Sequence, residues 1–223
     1  MKILNLRSGL GGNRKLWKGH EITSVDINYY VCKYYIDHYK EDTVLCEDAR
    51  EYLLNHFREF DFIWSSDPCP THSRARFWAS KGGKIDPVYP DFGLYETIVF
   101  LDNYFDGLWV VENVKPYYKP LIPPTKQIGR HLFWSNFNIG NPPDFKEADI
   151  KEGKISEWED LHGIYLKDYK FDVRKDKLLR NCVHPKTGKY ILDCAMGTMK
   201  DYKTNQIDLF DQIKELENKN NMI

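Results

Sequence analysis

Residues 1–26 read MKILNLRSGLGGNRKLWKGHEITSVD. The apolar run Lys2–Leu6 reads as a buried strand that stops at Gly9-Leu10-Gly11-Gly12. A helical segment is expected around Asn13–Lys18, then a second strand over Glu21–Val25 ending at Asp26. Working outward, Thr43–Cys46 is a third strand, followed by Asp48 and a helix over Ala49–Phe57. Asp61–Trp64 is a fourth strand, broken at Ser65-Ser66-Asp67-Pro68-Cys69-Pro70. A helix over Phe92–Phe105 places Leu94, Ile98, Leu101 and Phe105 at helical spacing, and Trp109–Val111 makes a fifth strand ending at Glu112-Asn113. Alternation of this kind predicts an α/β chain: a mostly parallel, twisted sheet with helices on both faces. Ligands of such sheets bind outside the carboxyl ends of the strands. Gly9–Gly12, Asp26, Asp48, Cys69 and Glu112 should therefore converge on one edge.

The later chain is less regular. Pro116–Pro124 is a constrained loop and His131–Trp134 a strand. From Ser135 to about Leu179 the sequence turns polar, which suggests a small inserted or appended region. Leu178–Cys194 regains a turn-then-helix pattern, and Gln206–Glu217 reads as an amphipathic helix docked on the body or on another copy.

Composition narrows the function. With 32 Lys+Arg against 33 Asp+Glu, the chain is no tail-driven electrostatic binder, although a local basic patch can still hold nucleic acid. No apolar run approaches the roughly 18–20 residues of a membrane span. The apolar stretch at the start is too short for a signal peptide. Cysteines 32, 46, 69, 182 and 194 are odd in number and never spaced CxxC, so neither a disulfide framework nor a bound metal is expected, and a reducing cytoplasm is.

The candidate chemistry follows from the punctuation. A glycine-rich strand exit lets backbone approach a ligand closely. Asp26 at the end of the next strand suits a pair of ribose hydroxyls, or a helix N-cap. Asp48 carries the same two readings. Cys69 sits between two prolines in a polar loop with no apolar periodicity to serve, which marks it as a nucleophile. Arg74 and Arg76 would favour its thiolate, and His72 would serve as a nearby base. Glu112, at the mouth of the sheet, is placed to donate a proton to a ring nitrogen, or to form a rim salt bridge.

Taken together these residues resemble the DNA (cytosine-5) methyltransferase family, in its compact phage and bacterial form. Ser8-Gly9-Leu10-Gly11-Gly12 is similar to the family's S-adenosylmethionine loop, Pro68-Cys69 with Ser73 to its nucleophile motif, and Glu112-Asn113-Val114 to its ENV motif. Arg130 resembles the arginine that helps hold the target base, and Asn181-Cys182-Val183-x-Pro185 the motif that returns to the cofactor pocket. The resemblance covers about residues 1–135 and 179–196 in family order. It implies a Rossmann-like methyltransferase fold, with a catalytic domain over 1–135, a small target-recognition region over 136–178 and a returning segment over 179–223.

It further implies S-adenosylmethionine as cofactor, leaving S-adenosylhomocysteine, and double-stranded DNA as partner. Cys69, Glu112 and Arg130 would be catalytic. Arg7, Ser8–Gly12, Asp26, Ile27, Asp48, Ala49, Pro68, Asn181 and Val183 would hold the cofactor. Ser73, Arg74, Arg76, Lys81 and Lys84, in a long basic loop hinged at Gly82-Gly83, would close over DNA. The chain departs from the family pattern at Arg7, where an aromatic is usual and a guanidinium would have to stack on the adenine instead. Further departures are Asp67 for a small residue, Pro70 for glutamine, Ile128 for an arginine, and Leu179-Arg180 where glycine usually precedes the asparagine. An N6-adenine or N4-cytosine methyltransferase, a tRNA cytosine-5 enzyme and an inactive DNA-binding relative are the competing readings.

Overall fold

The computed structural model describes residues 1–143 and 154–197. Its seven strands are β1 (Lys2–Leu6), β2 (Glu21–Val25), β3 (Thr43–Leu45), β4 (Phe62–Ser66), β5 (Leu108–Val114), β6 (Lys126–Ile128) and β7 (His131–Ser135). They form one sheet in the order β3-β2-β1-β4-β5-β7-β6. Strands β1 to β5 are parallel, and β7 alone runs against its neighbours β5 and β6. This is the Rossmann-like fold of the S-adenosylmethionine-dependent methyltransferases that the sequence implies. The strand order reverses between the parallel neighbours β1 and β4, so the crevice for a ligand opens where those two strands end.

Period-2 alternation builds both faces. Leu4, Leu6, Ile63, Trp109 and Val111 pack on one face beneath α2 (Ala49–His56) and α4 (Gly93–Tyr104). Ile3, Phe62, Trp64, Val110 and Phe133 point the other way, into a cluster with Tyr190, Ile191 and Leu192 of α7 (Pro185–Ala195). Glu112, two residues beyond Val110, faces the same side as α7.

The expected helix around Asn13–Lys18 is instead a run of turns. In place of a helix there, α7 packs against this link between β1 and β2. A Cβ on Gly188 would lie 2.1 Å from the Asn13 carbonyl oxygen, and Trp17 Nε1 donates to the Gly188 carbonyl at 3.1 Å. The structure also adds α1 (Tyr29–His38), N-capped by Asn28, and α3 (Arg74–Lys81). Two helices of the polar region, α5 (Ile155–His162) and α6 (Lys175–Arg180), bury Trp158 and Leu179 with Leu10 and Tyr34. The amphipathic helix expected over Gln206–Glu217 lies outside the described residues. Among the described residues no helix is long and apolar enough to cross a membrane.

Candidate active site

A cavity of about 290 Å³ opens where β1 and β4 end. Ser8, Gly9, Leu10 and Gly12 form one wall, and Asp26 closes it beside them. Pro68, Cys69, Glu112, Asn181 and Val183 line it too. Four of the five expected strand ends and the returning segment thus meet at this cavity, and Asp48 does not join them.

The glycines divide their work. Gly9 has φ +53° and nothing within 4 Å of the place a Cβ would occupy, so bare backbone faces the opening. Gly11, at φ +73°, lies under the Tyr39 and Tyr35 rings and does not line the cavity. Gly12 admits the returning segment, because a Cβ there would sit 2.5 Å from the Val183 carbonyl oxygen. The loop is seated from below by Asn13 Nδ2, which donates to the buried Asn5 Oδ1 at 2.9 Å.

Asp26 accepts from the Gly9 amide at 3.0 Å through Oδ2 and from the Asn28 amide at 2.9 Å through Oδ1. Burial raises its carboxyl above the usual range, against the pull of those amides and of Arg7. Asp48 takes the other of its two readings: it caps α2, accepting from the Arg50 and Glu51 amides, and does not line the cavity. Ala49 is buried in the core beneath it. Ile27 is 71% exposed next to Asp26 and does not line the cavity.

Arg7 lines the cavity, with one edge of its guanidinium already engaged. Its Nη1 lies 2.8 Å from Ser65 Oγ and 3.3 Å from Asp67 Oδ1. Asp67 is buried and also accepts from Ser65 Oγ at 2.8 Å and Thr97 Oγ1 at 3.2 Å, while Asn113 Nδ2 donates to its carbonyl at 3.0 Å. Burial still raises its carboxyl, with Arg7 the strongest opposing influence. Two departures from the family pattern are therefore one feature. The cation at the end of β1 and the anion just past β4 neutralise each other two residues before Cys69.

Cys69 is partly buried, with its Sγ 3.8 Å from Asn181 Oδ1. Burial pushes the thiol up, and the Glu112 charge pushes it further. The cations that oppose this are Arg130 and Lys177, not the expected Arg74 and Arg76. His72 does not line the cavity; its Nδ1 lies 2.6 Å from Tyr118 Oη.

Glu112 lies within β5 and is buried. The reading as a rim salt bridge gives way to a buried pair with His131, whose Nδ1 is 2.5 Å from Glu112 Oε1. β5 and β7 are antiparallel with Val114 opposite His131 and Glu112 opposite Phe133, so the two side chains meet on a diagonal. Arg130 Nε donates to His131 Nε2 at 3.1 Å, which leaves the ring proton on Nδ1, facing the carboxylate. Arg130 does not line the cavity; it also donates to the Arg180 carbonyl and lies 5.9 Å from the Trp158 ring centre.

Sequence reading missed His131, Asn28, Val31, Val173 and Lys177 among the lining residues. Two signals were there: Lys177 lies in the basic stretch Lys170–Arg180, and His131 opens an otherwise apolar strand next to the arginine motif. The basic loop expected after Cys69 is partly the helix α3, with Gly82 as its C-cap and Gly83 at φ +70°. Among the described residues no group of three His, Cys, Asp or Glu side chains could hold a metal ion.

No protein-family model matches the chain. No curated protein matches it either. Similar solved structures include a conserved hypothetical protein of Streptococcus pyogenes, 16% identical at a TM-score of 0.38 over 60% of this chain and 83% of that one. A mutant of Spodoptera frugiperda DNMT2 is 27% identical at a TM-score of 0.36, over 51% of this chain but only 35% of its own. The methyltransferase EhMeth of Entamoeba histolytica is 18% identical at a TM-score of 0.34, over 51% of this chain and 38% of that one.

Proposed function

We propose that the chain transfers a methyl group from S-adenosylmethionine to carbon 5 of a cytosine flipped out of DNA. The observation that carries this reading is that Cys69 and Glu112 line one cavity with the Gly9 backbone and Asp26. The cofactor fits the open space over Gly9, which a side chain would fill. Arg7, Ser8–Leu10, Asp26, Pro68, Asn181 and Val183 would hold it. When bound, it supplies an electrophilic methyl on a sulfonium.

Carbon 5 of cytosine is too poor a nucleophile to take that methyl unaided. The Cys69 thiol gives its proton to water and the Glu112 carboxylate takes one up from water; the sulfur then bonds to carbon 6 while Glu112 passes that proton to N3. Electron density moves to carbon 5, which would take the methyl as its bond to the sulfonium sulfur breaks, leaving S-adenosylhomocysteine. Loss of the carbon 5 proton to solvent base, departure of the sulfur and return of the N3 proton to Glu112 restore the ring. His131 holds one Glu112 oxygen, so the other is left for the base, and Arg130 orients His131. Because Cys69 rests as a thiol, adduct formation is the step that higher pH assists.

A base inside a duplex cannot reach this geometry and must be flipped. Ser73, Arg74, Arg76, Lys81 and Lys84 would contact the DNA, and residues 136–178 would read a short sequence. Asp67 counts against the amino-methyltransferase reading: it is buried, and both of its oxygens already have partners in Arg7, Ser65 and Thr97.

Transfer of labelled methyl to duplex DNA, single-stranded DNA and tRNA, followed by nucleoside mass spectrometry, tests this. The expected product is 5-methylcytosine in DNA. N6-methyladenine or N4-methylcytosine would overturn the mechanism, and methylation confined to tRNA would replace the substrate.

A further inference from the structure

A second cavity, of about 240 Å³, lies on the far side of Pro70, which lines both. One wall is aromatic: the rings of Phe77 and Tyr117 stack at 4.2 Å and 6°, and Tyr89 lines the cavity beside them. Two cations join them. Lys81 Nζ is 5.4 Å from the Phe77 ring centre, and Arg76 Nε is buried with no hydrogen-bond partner among the described residues. Ser73 and Ser80 contribute hydroxyls, and no acid lines the space. The helix that carries most of this, α3, buries none of its residues and leaves Trp78 63% exposed.

An aromatic wall with cations, hydroxyls and no carboxylate suits a flat, acceptor-rich ring attached to an anion. A nucleobase on a phosphate backbone has that chemistry. Guanine fits the donors best, because its O6 and N7 are adjacent acceptors that arginine favours. Since Pro70 separates this space from the Cys69 cavity, its occupant would be a neighbour of the target nucleotide.

We infer that the second cavity is a subsite for the base flanking the target, so that the preferred substrate has two adjacent unstacked bases. This rests on the proposed function for the identity of the target cavity. Single-stranded or locally opened DNA then binds better than a fully paired duplex, since no second unstacking has to be offset. Context reading would come from the catalytic body.

Fluorescence anisotropy of short labelled oligonucleotides on the full chain, with a central cytosine and each base on either side, tests the inference without turnover. Single strands should bind at least about tenfold tighter than duplexes, with guanine preferred on one side only. Arg76→Gln and Tyr89→Ala should each abolish that preference, while affinity for S-adenosylmethionine is unchanged. Tyr89 is 84% exposed, so its truncation leaves the fold intact. Equal binding of duplex and single strand with no flanking preference, or a preference that survives both substitutions, would overturn the subsite. A protein that shows the preference but transfers no methyl to cytosine would refute the proposed function and leave the subsite standing.

Discussion

The two ends of the main cavity are held in different ways. At the Gly9–Asp26 end the fixing contacts are backbone amides on a carboxylate, a buried Asn5–Asn13 bond and glycines against neighbouring chain. At the Cys69 end the strand exit is held by side chains: Arg7, Ser65 and Thr97 on Asp67, and His131 on Glu112. Beyond it comes α3, with no buried residue. Backbone contacts preorganise a site for a ligand of constant shape, whereas side-chain networks and an uncovered helix suit a partner that must be admitted, bent and released.

The largest expected break between the two ends comes from Cys69→Ser. Methyl transfer should fall on the order of 10⁴-fold or more, as for loss of other covalent nucleophiles, while calorimetry shows cofactor affinity unchanged. Asp26→Ala should do the reverse: cofactor affinity falls roughly 10- to 100-fold, the worth of hydrogen bonds to a charged group, and the Cys69 thiol stays as reactive toward iodoacetamide.

A smaller effect tests the side-chain network. Arg7→Leu and Asp67→Asn should each destabilise the protein in urea, and the double variant by less than their sum, with a coupling of about 1–3 kcal/mol. Simple additivity would mean the pair does not tie β1 to β4. The smallest effect concerns proton affinity. Glu112 holds the Cys69 thiol up, so Glu112→Gln should move the pH midpoint of Cys69 alkylation downward. An unchanged or higher midpoint would show that the two groups are not electrostatically linked.

Most of the sheet was legible because alternation and strand-end punctuation are local signals. Lys2–Leu6 and Asp61–Trp64 announce themselves, although the second strand runs on to Ser66, and the glycines and the cysteine follow them. Helix α3 was not legible, because Phe77 and Trp78 are adjacent and give no helical period. The turns at residues 13–18 were misread because the helix that covers that face arrives from residue 185 onward, a tertiary fact. The pairing of Arg7 with Asp67 was hidden for the same reason: each residue looked like an isolated oddity, and only the register of β1 on β4 brings them together. His131 was missed because a diagonal pair across antiparallel strands depends on register, which one strand alone does not encode.

Covalent capture tests the central claim most directly. DNA carrying 5-fluorocytosine cannot release the carbon 5 substituent as a proton, so the sulfur stays attached to the ring after methyl transfer. With S-adenosylmethionine present, the account predicts a protein–DNA adduct resistant to denaturation, mapped by peptide mass spectrometry to Cys69. Methylation of ordinary cytosine with no adduct on the fluorinated substrate, or an adduct mapped to another cysteine, would contradict it.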